Sequence, residues 1–117
     1  MKEFDLKLRT KQYALRIVKL FTSLPRTAEA QIIGKQVLRS GTSVGAQYRE
    51  ACRSRSNSEF VSKMQSGLQE LDETPYWLEL LVDGKIVKAE KLVDLRNETE
   101  ELIAIFVTSV KTVRSRK

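Results

Sequence analysis

Arg39-Ser40-Gly41-Thr42-Ser43-Val44-Gly45-Ala46-Gln47-Tyr48-Arg49-Glu50-Ala51 is the stretch on which the reading of this chain turns. Its glycines and hydroxyls have the composition of a phosphate-cradling loop, but its spacing is helical. Val37, Gly41, Val44, Tyr48 and Ala51 recur at steps of four, three, four and three, which places them on one helix face. Gly41 and Gly45 lie one turn apart, where a second backbone can approach closely. Each glycine costs about 1 kcal/mol of helix propensity relative to alanine, so the pair reads as a packing gap. Gly41-Thr42-Ser43-Val44-Gly45 also lacks the Lys-Ser/Thr ending of a P-loop and the glycine spacing of a dinucleotide fingerprint.

Three more helices are predicted around this one. The first spans about Asp5 to Leu24, with Asp5 as N-cap, Pro25 beyond its end, and Ala14, Ile17, Val18, Phe21 and Leu24 turned inward. The glycine-bearing helix runs from about Ala28 to Arg53 behind Thr27. Ser56-Asn57-Ser58-Glu59 is a capping box that opens the third, whose stripe is Phe60, Met64, Gly67, Leu68, Leu71, Leu78 and Val82. Pro75 predicts a kink or break near Glu73-Thr74, and Asp83-Gly84 a stop. The fourth spans about Lys88 to Val113, with Leu92, Leu95, Thr99, Leu102, Phe106, Ser109 and Val113 at three-four spacing. Leu102 to Val107 alone reads as a strand, but the heptad that continues from Leu92 and Leu95 makes it helical. Short connections between four helices predict an all-α, antiparallel up-down-up-down four-helix bundle, a single domain over residues 1–117.

Composition narrows the chemistry. The 117 residues contain no histidine, which removes the usual general base, the Ser-His and Cys-His pairs and most zinc sites. Glu70, Asp72 and Glu73, and Glu98, Glu100 and Glu101, read as solvated faces rather than metal ligands. The expectation is a protein that is not an enzyme, with no catalytic residues, no cofactor and no metal. Cys52, the single cysteine, permits no intrachain disulfide and reads as a small core residue of a reducing compartment. No apolar run reaches the roughly 18 residues of a membrane span, so a cytoplasmic protein is expected.

Two surface features point to partners. Trp77, Leu80, Ile105 and Val107 fall off the core stripes of their helices, and a helix that is apolar around most of its circumference is buried on several sides. These four residues are candidate homo-oligomer contacts. The net charge of +6 is also unevenly placed. Up-down topology brings residues 1–12, 48–64 and 106–117 to one end, with twelve basic against four acidic side chains. Lys2, Lys7, Arg9 and Lys11 belong to this pole beside Arg49, Arg53, Arg55, Lys63, Lys111, Arg114, Arg116 and Lys117, while the remaining chain carries nine basic against eleven acidic residues. Arg49, Arg53, Arg55, Lys63, Lys111, Arg114 and Arg116 are the candidate phosphate contacts, in a salt-sensitive and weakly sequence-specific mode. With Phe4 and Tyr48 the nearest aromatics, a backbone binder is favoured over a base reader.

Three motifs together resemble one known family. These are Arg39 to Ala51, then Ser56-x-x-Glu59-Phe60, then Leu71-Asp72-Glu73-Thr74-Pro75-Tyr76-Trp77-Leu78-Glu79-Leu80-Leu81. They are similar to the bacterial four-helix-bundle proteins of the rRNA intervening-sequence family, often labelled ribosomal proteins; Gln47, where asparagine is usual, and Pro75 depart from the commoner pattern. The resemblance implies a ring-like homopentamer. It also implies kinship with the accessory variability determinant of diversity-generating retroelements, a basic pentamer that binds nucleic acid and a reverse transcriptase. The function expected is thus a homo-oligomeric, non-enzymatic bundle binding RNA or DNA backbone as an accessory factor. The alternative is a protein-interaction scaffold that binds no nucleic acid.

Overall fold

A computed structural model describes residues 5–116 as four helices in sequence: α1 (Leu6–Ser23), α2 (Ala28–Cys52), α3 (Asn57–Asp83) and α4 (Val93–Arg114), with a short 3-10 turn, Ala89–Lys91, before the last. α2 packs on α1 and on α3, and α3 on α4, while α1 meets α4 along a thinner seam. The bundle is elongated, 51 × 22 × 20 Å.

The helix starts follow local chemistry. Asp5 accepts the Leu8 amide at 3.2 Å, Thr27 the Ala30 amide at 3.3 Å, and Ser56 the Glu59 amide at 3.1 Å. Each satisfies an otherwise orphaned N–H of a first turn. The Glu59 carboxylate reaches back one residue further than a standard capping box, accepting the Arg55 amide at 3.0 Å. α4 has no side-chain cap and starts later than the pattern predicts, after Leu92 has buried itself.

The end of α3 departs from its Asp-Gly signal. Gly84 has φ −79°, and the left-handed residue is Lys85, at φ 62°. Ile86 donates to the Leu81 carbonyl at 2.9 Å and Lys85 to that of Val82 at 3.0 Å. These two bonds form a Schellman closure with lysine where glycine is the usual occupant. Lys85→Gly is therefore expected to stabilise the fold by about 1 kcal/mol, the left-handed cost that a side chain incurs, read as a higher urea midpoint. An unchanged or lower midpoint contradicts it.

The opening glycine segment is a packing gap. A Cβ on Gly41 would meet Ile17 Cγ1 at 2.7 Å, and one on Gly45 would meet Thr10 Oγ1 at 3.1 Å, so α1 side chains occupy the space that the missing side chains leave. Val37, Val44 and Ala51 are buried and Tyr48 half-buried on the same face. Three expected positions are corrected by about one residue of helical phase. α1 buries Leu6, Thr10, Tyr13 and Ile17 and leaves Val18 exposed; α4 buries Val110 where Ser109 was expected; and Cys52, expected in the core, is exposed, one residue past Ala51, which is buried as its stripe predicts. Pro75 does not break α3, which runs unbroken through it.

Each helix contributes one hydroxyl to a buried polar layer. Tyr13 Oη lies 2.7 Å from Thr99 Oγ1, and Ser40 Oγ 2.9 Å from Thr74 Oγ1. Thr99 donates to the Leu95 carbonyl, so the Tyr13 O–H donates to Thr99. Among the described residues no buried side-chain polar atom lacks a partner. Burial pushes the Tyr13 phenol up to about 12, against about 10 in an unfolded chain. The folded state thus holds this proton more tightly. The corresponding stability is complete below about pH 10 and is lost as pH rises toward 12, on the order of 2–3 kcal/mol. Urea denaturation near neutrality and at about pH 11 is expected to show a smaller alkaline loss in Tyr13→Phe than in the parent. Equal losses refute this assignment.

Candidate nucleic-acid interface

The antiparallel order brings the end of α2, the start of α3 and the end of α4 together, with the first turns of α1 alongside. Arg49 Nη2 lies 3.5 Å from the Lys7 carbonyl, at the limit of a hydrogen bond. Two shallow grooves flank the start of α3. One, about 900 Å³, is lined by Cys52, Arg55, Phe60, Thr108, Thr112 and Arg116 among others. The second, about 480 Å³, runs past Ser58, Ser62, Gln65, Arg114 and Arg116. Arg116 lies on both, so the grooves share a cationic rim with a hydroxyl-rich lining.

The structure sorts the seven candidate cations by what already holds them. Lys63 Nζ binds Glu50 Oε1 at 2.8 Å; this pair raises the Lys63 ammonium and lowers the Glu50 carboxyl relative to their ordinary values. Arg49, Arg53, Arg55, Lys111, Arg114 and Arg116 are exposed and form no ion pair among the described residues. The acids that could neutralise them are engaged: Glu50 with Lys63, Glu59 with the Arg55 amide. Three of these six, Arg55, Arg114 and Arg116, line the grooves, and the local acids have other partners.

Arg9 leaves the predicted pole for a structural role. Its guanidinium grips Glu98 with two bonds, at 2.7 and 2.8 Å, and Glu101 at 2.6 Å, which raises its pKa and ties α1 to α4 across their thin seam. Arg39 does the same between α2 and α3: its bond to Glu73 and attraction to Glu70 raise its own pKa, and it holds the Glu73 carboxyl below the ordinary range. The two acidic clusters are therefore partly interhelical clamps, not wholly solvated faces. Lys2, Glu3, Phe4 and Lys117 lie outside the described residues. Lys7 and Lys11 are exposed on α1.

The four expected oligomer contacts are all half-buried within the chain itself. Trp77 stacks edge-on to Tyr76 at 5.1 Å and donates weakly to Glu73, and both Trp77 and Ile105 pack against the core. Ile105 also lines an apolar recess of about 420 Å³ with Leu6, Tyr48, Phe60 and Ala104. Tyr48 sits there, and burial pushes its phenol up to about 12. The exposed large apolar side chains are different ones: Leu8, Leu15, Val18, Ile32, Tyr76 and Val93. The sequence reading passed over Leu8 and Leu15, although their seven-residue separation signalled a shared face. It also passed over the groove-lining role of Phe60, Thr108 and Thr112, which needs the α3–α4 geometry to be seen. Among the described residues no helix is long and apolar enough to cross a membrane.

The family described as 23S rRNA-intervening sequence protein matches over residues 2–108. Among solved structures, the chain is similar to a protein of unknown function from the S23 ribosomal protein family of Bacteroides thetaiotaomicron. The two are 35% identical, the match covers 95% of this chain and 99% of that one, and the TM-score is 0.87. No curated protein matches the chain.

Proposed function

This chain belongs to the 23S rRNA-intervening sequence protein family, and from that premise we propose that it is a non-enzymatic, homo-oligomeric bundle whose basic end holds RNA or DNA backbone as an accessory factor. The observation that supports the reading is a basic end with six cations that form no ion pair among the described residues, three of which, Arg55, Arg114 and Arg116, line two grooves whose nearby acids are engaged elsewhere. Arginine matches phosphate geometry with paired N–H donors. The hydroxyls of Ser58, Ser62, Thr108 and Thr112 add neutral donors along the same grooves. No reacting side chain is needed for this work, and the site contains no histidine.

The finer parts of the proposal rest on the resemblance of the three sequence motifs. They are a pentameric ring, kinship with the accessory variability determinant, and a reverse transcriptase among the protein partners; action in the cytoplasm rests instead on the single cysteine and the lack of a membrane-length apolar run. Assembly would multiply the basic end several-fold around one axis, strengthening the hold on a polyanion through multivalency.

Gel mobility shift with RNA and with DNA tests the central claim. Binding is expected at low salt and should weaken steeply between about 50 and 200 mM, as phosphate-dominated binding does. A folded protein that shifts neither nucleic acid at low salt overturns the reading and leaves the same cations to an acidic protein partner.

A further inference from the structure

Charge is partitioned between two helices that scarcely touch. α1 carries five cations, Lys7, Arg9, Lys11, Arg16 and Lys19, and no acid. α3 carries six acids against the single cation Lys63. Contacts run from α1 to α2, α2 to α3 and α3 to α4, so α1 and α3 sit diagonally and their outer faces look away from each other. Arg9, Glu70 and Glu73 are engaged in the clamps described above; the rest of each face is open.

Both open faces keep a helical period and carry exposed apolar groups. On α3, Asp72, Tyr76, Glu79 and Asp83 are exposed at steps of four, three and four, with Tyr76 55% accessible. On α1, Leu8, Lys11, Leu15 and Lys19 are exposed at steps of three, four and four, with Leu8 and Leu15 at 50% and 57% and Val18 alongside. One stripe is basic and aliphatic, the other acidic and aromatic. Seams that pair apolar contact with opposite charges are how helices select partners.

We propose that the occupant of each stripe is a second copy of this chain, α1 of one subunit packing against α3 of the next, a step that rests on the homo-oligomeric reading above. Charge complementarity argues for this pairing and against the symmetric ones. α1 on α1 would oppose cations, and α3 on α3 would oppose acids. The contact is therefore head-to-tail, a heterologous interface that either closes into a ring or extends as a filament. α1 and α3 run in the same direction through the up-down bundle, so subunits related by one rotation axis would pack these helices parallel. Tyr76 and the aliphatic row of Leu8, Leu15 and Val18 would supply the apolar centre of the seam, and the long stems of Arg16 and Lys19 would cover its edge.

Charge reversal with light scattering tests it. Arg16→Glu with Lys19→Glu alters only the α1 stripe, and Asp72→Lys with Glu79→Lys only the α3 stripe. All four side chains are exposed, and circular dichroism checks that each variant stays helical. The parent is expected to have a mass that is a multiple of 13.4 kDa. Each double variant is expected to dissociate to that unit mass at micromolar concentration, and the chain bearing all four changes, its complementarity restored with signs exchanged, to reassemble. If the parent is oligomeric and either reversal leaves the mass unchanged, or the fourfold variant stays monomeric, the α1–α3 seam is refuted and the oligomeric reading survives with another interface. A parent that is itself monomeric overturns both.

Discussion

Phe106→Ala is expected to destabilise the fold by about 3–5 kcal/mol, the range for removing a fully buried aromatic ring. That is a large share of the roughly 5–15 kcal/mol that holds a domain together. The ring is 0% exposed and lies where three helices converge. Its edge fills the gap at Gly67, where a Cβ would stand 2.8 Å from Phe106 Cε2, and the Tyr48 ring lies 6.1 Å away at a tilt of 51°. An aromatic ring cannot deform to make room. Gly67→Ala gains about 1 kcal/mol of helix propensity but loses about 1–3 kcal/mol to overpacking, a net loss in the parent. In a Phe106→Leu background the ring edge is gone, and the same Gly67→Ala change should become neutral or stabilising. Urea denaturation of the four proteins measures the coupling directly, and a value above about 0.5 kcal/mol is expected for side chains in contact. If Gly67→Ala has the same effect in both backgrounds, the ring is not what keeps residue 67 small.

What was legible in the sequence was the local part of the fold. The caps at Asp5, Thr27 and Ser56 can be read because a cap and its amide lie three residues apart. The glycine face of α2 can be read because its period persists over four turns. Apolar periodicity lost accuracy where the buried side chain is polar or small. Thr10 and Tyr13 occupy inward positions of α1, and weighting only side chains without a polar group rotated the predicted stripe toward Val18. Of the hydroxyl layer, Thr99 was legible on the inward stripe of α4, but Tyr13, Ser40 and Thr74 were not, since they look like surface residues until the helices bring them together.

Pro75 shows a tertiary effect overriding a local one. A proline inside a helix loses one backbone bond and crowds the preceding turn. Here Leu71 and Leu78 on either side are fully buried, and Thr74 just before it bonds both the Glu70 carbonyl and Ser40 of α2. Those contacts anchor α3 on both sides of Pro75, and the helix continues through it. The basic end was legible from topology alone, because antiparallel order dictates which termini meet. Which cations remain free there was not. Arg9 is taken by Glu98 and Glu101, 89 and 92 residues away, and Lys63 by Glu50, 13 residues away, and no spacing rule connects such pairs.

That division between free and engaged cations makes the binding proposal quantitative. Replacing Arg55, Arg114 and Arg116 together by alanine should weaken RNA binding by on the order of 10²-fold at moderate salt and flatten the slope of log K against log salt by about 2–3, since each lost phosphate contact removes about 0.7–0.9 from it. Lys63→Ala should do little by comparison, because its ammonium already faces Glu50 at 2.8 Å. Glu50→Gln supplies the converse case. It releases Lys63 and removes a negative charge from the patch, so binding should tighten and the slope steepen by up to about 1. Filter binding over a salt series measures all three variants against the parent, and none of the substituted side chains is buried, so lost folding does not mimic lost binding. Non-specific attraction to net charge would make Lys63→Ala as costly as the loss of any other single cation. A phosphate site built from the free arginines would not, and a loss in log K at Lys63→Ala as large as a third of that of the triple arginine variant would refute it.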